Sequence, residues 1–258
     1  MEGRERGTAR GAGAMTEVSV RPLLLCATEP EAAPVVGGMR HAQRTNRLYK
    51  TALDGAVAGT GCRLVISGIG PVNAAHSLTR EIEASRPTVV LQFGIGGAYV
   101  PAGVSVGEVV CATEELYGDL GAITPEGLLS MEDLGFPVIR SEPSRFNRFP
   151  LDGCLVAYAA EACGATCGPF LTTSQCTGVR ALGDALHART GAICENMEGA
   201  AAAHVCALYD VPFLEVRGIS NLVEDRDRSA WKVDDAIAVV CDAVVHVLRG
   251  IDAVLEGH

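Results

Sequence analysis

The chain is 258 residues long, carries a formal net charge of −10 and is 48% hydrophobic, with a mean hydropathy of +0.23. This composition is ample for a sizeable buried core. The acidic balance argues against nucleic acid or an anionic membrane as the main partner and favours a small, mostly neutral ligand. We therefore expect one α/β domain over residues 21–258.

Residues 1–20 precede this domain and are rich in Gly, Ala, Arg and Thr without apolar periodicity. Segments of this kind are typically disordered, and this one lacks the apolar core of a signal peptide. The sequence predicts a disordered N-terminal extension, in which Met15 is a candidate for the natural start.

Ten cysteines are scattered along the chain, often inside apolar runs. Buried thiols in a reducing compartment explain this distribution better than a disulfide scaffold does. Cys163 and Cys167 are separated by three residues without a nearby histidine, so they do not indicate a zinc site. No apolar run reaches the ~18 residues needed to cross a bilayer. The sequence predicts a soluble, cytoplasmic protein without a bound metal.

The first half of the chain alternates short apolar runs with helical patterns. Residues 22–27 form a run typical of a buried parallel strand. Thr28 follows as a helix N-cap, with Glu31 at the capping-box position three residues later. Taken alone, this spacing makes Glu31 a partner of the cap. The next predicted elements are a hairpin over 52–60 and 62–67, a helix over 72–84 and a strand over 88–93.

A glycine-containing turn, Gly68-Ile69-Gly70, precedes the second helix, whose first turn contains Pro71. A dinucleotide-binding fingerprint is a poor match, because the third glycine is missing and no acid ends a following strand. The segment is therefore interpreted as a tight turn, with lining of a site as the alternative.

The second half contains a long stretch, residues 114–149, for which we predict no regular structure. A segment of this length inside a compact domain is usually a lid or a binding element, although a solvated or partner-facing loop is an equal alternative. The predicted elements around it are strands over 107–112 and 168–173 and helices over 151–163, 179–188 and 233–248.

Polar side chains stand out at two places between Cys194 and Asn221. Met197-Glu198 lies where a short strand gives way to an alanine-rich helix, and Ser220-Asn221 ends a buried strand. Ligands of open α/β sheets bind at the carboxyl ends of strands, so the side chains of Glu198 and Asn221 are expected to face the same ligand site. The alternative makes Glu198 only a helix N-terminal charge, worth ~0.3–1 kcal/mol.

These segments resemble the nucleoside phosphorylase and nucleosidase superfamily. Met197-Glu198 matches its Met-Glu before a small-residue helix, residues 217–221 match its Arg-x-Ile-Ser-Asp strand end with one departure, and residues 94–98 match its glycine-rich loop beside base and ribose. The sequences of these segments are most similar to those of the futalosine hydrolase branch. The resemblance implies a three-layer α/β/α fold with a central mixed twisted sheet.

The resemblance also implies roles for single residues. Glu31 falls on the acid that positions the attacking water in nucleosidases, Glu198 on the acid that holds the ribose, and Asn221 on the residue that faces the leaving purine. The resemblance further implies that the protein is a homo-oligomer and needs no cofactor. The residues expected to bind substrate are Ile95, Gly96, Gln175, Met197, Arg217 and Ser220.

Two features separate the possible reactions. Phosphorylases of the superfamily place glycine and arginine in the loop after the first strand, whereas Glu29 and Glu31 would repel a phosphate dianion. Asn221 stands where relatives that release adenine have aspartic acid, and an amide cannot transfer a proton but can donate one hydrogen bond and accept another. These features favour hydrolysis of a 6-oxopurine nucleoside. Together with them, the resemblance implies hydrolysis of futalosine with release of hypoxanthine, as in menaquinone biosynthesis.

Several alternatives stay open at this level. A phosphate-dependent phosphorylase of inosine-like nucleosides and a non-catalytic nucleoside-binding module are the competing functions. Asp225 or Asp227 could supply the proton that Asn221 cannot. An arginine is expected to hold a carboxylate on the 5′ side of the substrate, and the candidates are Arg140, Arg145, Arg148, Arg217, Arg226 and Arg228.

Overall fold

A computed structural model describes residues 21–47 and 50–256. The predicted N-terminal extension, residues 1–20, lies outside the described residues. The strands are β1 (Leu23–Cys26), β2 (Arg40–Arg47), β3 (Lys50–Val57), β4 (Thr60–Ile66), β5 (Val90–Tyr99), β6 (Val109–Tyr117), β7 (Gly121–Thr124), β8 (Gly127–Ser130), β9 (Arg148–Pro150), β10 (Thr166–Thr172), β11 (Cys194–Asn196) and β12 (Phe213–Val223). The helices are α1 (Glu29–Gly38), α2 (Pro71–Ser85), α3 (Gly153–Cys163), α4 (Arg180–Thr190), α5 (Gly199–Tyr209), α6 (Val233–Leu248) and α7 (Ile251–Glu256).

A mixed sheet forms the centre of the fold, with the strand order β11-β10-β6-β12-β5-β1-β4-β3-β2 and β9 paired to β6. The strands β4, β1, β5 and β12 are neighbours and run parallel, whereas β12 and β6 are antiparallel. The carboxyl ends of β1, β5 and β12 therefore meet at one edge. Chain segments that follow or end these strands come together there.

Helices cover both faces of this sheet, as the alternation of apolar side chains along β1 requires. Leu24 and Cys26 pack with α1, α3 and α6. Leu23 and Leu25 pack with α2 and α5 on the other face. The predicted three-layer α/β/α architecture with a central mixed sheet is confirmed.

The glycine-rich segment that ends β5 is part of the strand, not a loop as expected. It pairs with β12 throughout and with β11 near its end, where Glu195 lies opposite Gly97. A Cβ atom on Gly94 would lie 2.6 Å from Glu31 Oε1 and 2.8 Å from Arg217 Nη1. Glycine is required there because two charged side chains cross the strand at close range.

Other local predictions were confirmed or corrected. The hairpin is present as β3 and β4, and α6 has the predicted bounds. The prediction of an irregular segment over 114–149 was wrong in part, because β6 extends to Tyr117 and β7 and β8 form a hairpin. Strand β2 and helix α7 were not predicted. No helix in the described part of the chain is long and apolar enough to cross a membrane.

Candidate active site

A cleft of about 480 Å³ opens where β1, β5 and β12 end. The start of α1 borders it on one side and the junction of β11 with α5 on another. All the predicted site residues except Gln175 line this cleft: Glu31, Ile95, Gly96, Met197, Glu198, Arg217, Ser220 and Asn221. The expected convergence of Glu198 and Asn221 on one cavity is therefore present in the structure.

Gln175 is an exposed residue that does not line the cleft, and its expected contact with the ligand stays a prediction. Its neighbours Cys176 and Thr177 line the cleft instead. Thr177 is held by Glu195, which accepts hydrogen bonds from the Thr177 amide (2.7 Å) and hydroxyl (2.6 Å). This contact between distant segments sets which residues face inward, and counting along the chain cannot reveal it.

Glu198 is the N-cap residue of α5, but its side chain does not cap the helix. Asn196 performs that task, because its Oδ1 accepts from the amides of Glu198 (2.9 Å) and Gly199 (2.8 Å). The buried Glu198 carboxylate is left to face the cleft. Its Oε1 accepts from the Gly70 amide (3.0 Å) and its Oε2 from Arg217 Nη2 (3.4 Å). The Gly68–Gly70 turn therefore lines the site.

Burial raises the pKa of Glu198 above its usual range, while Arg217 and the Gly70 amide oppose that shift. Arg217 is itself buried, with 2% of its surface exposed. Burial lowers the pKa of Arg217, but Glu215, Glu198 and Glu31 more than offset this effect, so the pKa is raised and the guanidinium stays charged. A fixed cation therefore lies between the two predicted catalytic carboxylates.

Arg217 holds this position through three hydrogen bonds. Its Nε donates to Glu215 Oε1 at 2.7 Å, Nη1 donates to the Ile95 carbonyl at 3.1 Å, and Nη2 donates to Glu198. The planar guanidinium is suited to such a fixed set of contacts. Arg217 therefore joins β12, β5 and the start of α5 at the floor of the cleft.

Glu31 is a partner in the helix cap and also lines the cleft. Thr28 and Glu31 form the predicted capping box, in which Glu31 Oε2 accepts from the Thr28 amide (3.0 Å) and hydroxyl (2.7 Å). The other oxygen, Oε1, accepts from the Ile95 amide at 3.0 Å. The helix cap therefore holds this carboxylate where it lines the cleft.

Ser220 and Asn221 do not end β12 as expected, because the strand continues to Val223. The register with β5 shifts between Ile219 and Asn221, which is the mark of a bulge. Asn221 Nδ2 donates to the Leu222 carbonyl at 2.9 Å, and Asn221 Oδ1 accepts from the Ser220 hydroxyl at 2.8 Å. A carbonyl can only accept, so this contact orients the amide nitrogen.

Of the six candidate arginines, Arg217 and Arg226 line the cleft. The guanidinium carbon of Arg226 lies 5.0 Å from the centre of the Trp231 ring, and Trp231 also lines the cleft. Arg145 and Arg148 line a separate cavity of about 460 Å³ beside the β7–β8 hairpin. Sequence reasoning missed Glu195 and Trp231 as parts of the site, whereas the turn that contains Gly70 was already a candidate for lining it.

The chain matches a known protein family over most of its length. Residues 23–255 match the Phosphorylase superfamily, and the chain belongs to that family. The chain is 40% identical over 190 residues to a futalosine hydrolase from Streptomyces coelicolor, covering 71% of this chain and 77% of that protein. It is 39% identical over 191 residues to a futalosine hydrolase from Thermus thermophilus, covering 74% and 82%.

Solved structures share the fold at lower identity. The native structure of futalosine hydrolase from Helicobacter pylori superimposes with a TM-score of 0.76 at 18% identity, covering 91% of this chain and 98% of that one. An S-adenosylhomocysteine nucleosidase from Streptococcus pyogenes, in complex with 5-methylthiotubericidin, gives 0.78 at 21% identity, covering 93% and 99%. At these identities the likeness establishes the fold.

Proposed function

We propose that this protein hydrolyses the N-glycosidic bond of futalosine and releases hypoxanthine, a step of menaquinone biosynthesis. The futalosine hydrolases at 39–40% identity support this activity. The observation that supports it most directly is that Glu31, Glu198 and Asn221 line one cleft and that each side chain has hydrogen-bonding positions not used within the protein. The free positions of each residue suit a different part of a 6-oxopurine nucleoside undergoing hydrolysis.

Glu198 serves the sugar. A carboxylate has about four acceptor sites, and Gly70 and Arg217 occupy one on each oxygen. Two acceptor sites remain, which matches the two hydroxyls of a ribose. The same negative charge lies beside the sugar as it becomes cationic, and this stabilises the transition state more than the ground state.

Glu31 serves the nucleophile. The Thr28 amide and hydroxyl occupy Oε2, and the Ile95 amide occupies one site on Oε1. One acceptor site on Oε1 remains, and it can hold a water molecule and draw its proton as the water attacks the sugar. A carboxylate at this position disfavours a phosphate dianion as the nucleophile, because two negative charges repel at close range.

Asn221 serves the base. Its amide has one N–H and one oxygen lone pair left after the contacts with Leu222 and Ser220. The N–H can donate to the 6-oxo group of hypoxanthine, and the lone pair can accept from the N7 hydrogen that a solvent water molecule supplies as the base leaves. Adenine would oppose its 6-amino donor to the same N–H, and such a mismatch costs ~1–3 kcal/mol.

The activity is tested by incubating the purified protein with futalosine, methylthioadenosine and inosine, with and without phosphate, and measuring the released base. The proposal expects futalosine to be hydrolysed most efficiently, with equal rates in both buffers. A strict requirement for phosphate would establish a phosphorylase. Binding of inosine-like ligands without release of base would establish a binding module.

Exchanging Asn221 for aspartic acid should shift the base preference. Aspartic acid can transfer a proton to N7 and can accept from a 6-amino group, so Asn221→Asp is expected to raise kcat/KM for methylthioadenosine relative to futalosine by about 10- to 100-fold. Base release from both nucleosides is measured for the variant and the wild type. An unchanged ratio would show that residue 221 does not contact the purine.

Arg226 is the arginine that we expect to bind the aryl carboxylate on the 5′ side of futalosine. Arg226→Gln should raise KM for futalosine about 5- to 10-fold, since a charge-assisted hydrogen bond is lost. Inosine lacks the carboxylate and should be affected little. Arg228→Gln is the matched control, because Arg228 also lies beside Trp231, at 5.9 Å, but does not line the cleft. An equal effect on both substrates would place Arg226 at the base instead.

We further propose that the protein acts as a homo-oligomer in the cytoplasm. Ile69 lines the cleft yet is 56% exposed, and nearby Val72 is 81% exposed. A second copy packed there would bury these apolar side chains and close that side of the cleft. The ten free cysteines suit a reducing compartment.

A further inference from the structure

Two acidic side chains meet under the start of α5, below the floor of the cleft. Glu115 on β6 and Glu215 on β12 are both fully buried, with 0% of their surface exposed. A Cβ atom on Gly199 would overlap an oxygen of each carboxyl group, Glu115 Oε1 and Glu215 Oε2. These two oxygens are therefore directed at the same small space.

The hydrogen bonds around this pair leave one oxygen without a donor. Glu115 Oε1 accepts from Asn196 Nδ2 at 2.6 Å, and Glu115 Oε2 accepts from the Thr172 hydroxyl at 2.9 Å. Glu215 Oε1 accepts from Arg217 Nε at 2.7 Å. Glu215 Oε2 is buried and has no partner. A buried acceptor without a donor is costly, and a hydrogen on Glu115 would supply that donor.

We propose that Glu115 is a carboxylic acid that donates a hydrogen bond to the Glu215 carboxylate, and that this singly charged pair positions Arg217 for catalysis. The inference rests on the proposed nucleosidase function. Glu115 and Glu215 touch no substrate and act through Arg217, so they are positioning residues.

Electrostatics support a single charge on the pair. Two buried carboxylates at close range cannot both ionise at modest cost. Burial, and then the neighbouring Glu215, raise the pKa of Glu115 well above its usual range. The other titratable groups that interact with Glu115 are Arg217, Tyr117 and Cys194. Burial raises the pKa of Tyr117 and of Cys194, so both are neutral near neutral pH.

The proton on Glu115 affects how Arg217 is held at the cleft. With Glu115 neutral, Glu215 is the one carboxylate behind Arg217, while Glu198 and Glu31 lie in front of it. Glu215 fixes the Nε side of the guanidinium, so the Nη groups are directed at the Ile95 carbonyl and at Glu198. A full second charge behind Arg217 would compete with Glu198 for the same cation.

The kinetic test uses Glu115→Gln, Glu215→Gln and the double variant. Glutamine is neutral and can donate a hydrogen bond, so each single variant keeps one negative charge in the pair. We expect kcat for Glu115→Gln within about fivefold of the wild type, and for Glu215→Gln about tenfold lower, because the charge moves away from Arg217. The double variant loses the charge and should fall at least about tenfold below the product of the single effects, with KM changed less than kcat.

A second test needs no variant to be active. Infrared difference spectra of the wild-type protein near neutral pH should contain the carbonyl stretch of a buried carboxylic acid, and Glu115→Gln should lack it. Because the folded pKa of Glu115 is raised, its contribution to stability is fully present below the ordinary glutamate pKa and is lost as pH rises through the folded value. Urea unfolding should show wild-type stability falling relative to Glu115→Gln as pH rises from about 5 to about 8.

Three results would overturn the protonated Glu115–Glu215 pair. Absence of the acid band in the folded wild type overturns the protonated pair, even if no variant folds. If Glu115→Gln folds and loses about 100-fold or more in kcat, a neutral donor is not sufficient and the inference is wrong. If the double variant equals the product of the single effects, the two residues do not share one charge. If the wild type releases no base, the proposed function fails, while the spectrum and the unfolding curves still report on the pair.

Discussion

Replacing Glu198 with glutamine is expected to lower kcat for futalosine by about 100- to 1,000-fold. The change removes the negative charge beside the sugar as the cation develops. It also turns an acceptor into an amide NH2 group, which would face the Gly70 amide or Arg217 Nη2. Glu161→Gln is the control, because Glu161 is an exposed residue of α3 that does not line the cleft. Single-turnover base release measures the chemical step in both variants.

The ribose contact of Glu198 can be separated from its charge by changing the substrate. If the carboxylate binds both ribose hydroxyls, Glu198→Gln should impair hydrolysis of inosine more than hydrolysis of 2′-deoxyinosine, since the latter lacks one partner. An equal loss on both nucleosides would contradict the proposed contact. A rate for Glu198→Gln within about threefold of the wild type would contradict the catalytic role altogether.

The pH dependence of kcat offers an independent check on the same residue. The raised pKa of Glu198 means that it takes up a proton at a pH above the usual range for glutamate, near 4.3. Protonation removes both the charge and acceptor capacity, so kcat should fall as pH decreases through this raised value. In Glu198→Gln that acid limb should disappear, because no carboxylate at position 198 remains to titrate.

Local patterns predicted the parts of this site that depend on neighbours in sequence. The spacing of Thr28 and Glu31 predicts a capping box, and the box is what holds the Glu31 carboxylate at the cleft. The Met197-Glu198 pair before small residues predicts a strand-to-helix junction, and α5 starts there. In both cases the elements that position the side chain are encoded within a few residues of it.

Contacts between distant segments account for what the sequence did not reveal. The Gly70 amide reaches Glu198 across 128 residues, and Asn196 reaches Glu115 across 81. The Ser220–Asn221 bulge needs the register of β12 with β5, which no pattern along one strand specifies. Pairing partners in a large mixed sheet are set by the whole fold, so these features appear only in three dimensions.

Exchanging Glu31 for glutamine should lower kcat about 100-fold while changing KM little. The amide oxygen of glutamine can still accept from the Thr28 amide, so most of the helix cap persists. What the variant loses is the basic oxygen that we propose binds water and takes its proton. The measurement is kcat from steady-state base release, with urea unfolding in parallel to verify that the folded state is retained.

Glu29 provides the matched control for this experiment. Glu29→Gln removes a carboxylate from the same first turn of α1, two residues earlier, but Glu29 is exposed and pairs with Arg44 outside the cleft. Its kcat should stay within about twofold of the wild type, because an exposed ion pair contributes little. If Glu31→Gln is as active as Glu29→Gln, then Glu31 is a helix cap and nothing more, and the attacking water must be held by another group. If both variants lose activity equally, the total charge of the first turn of α1 matters rather than the position of one oxygen.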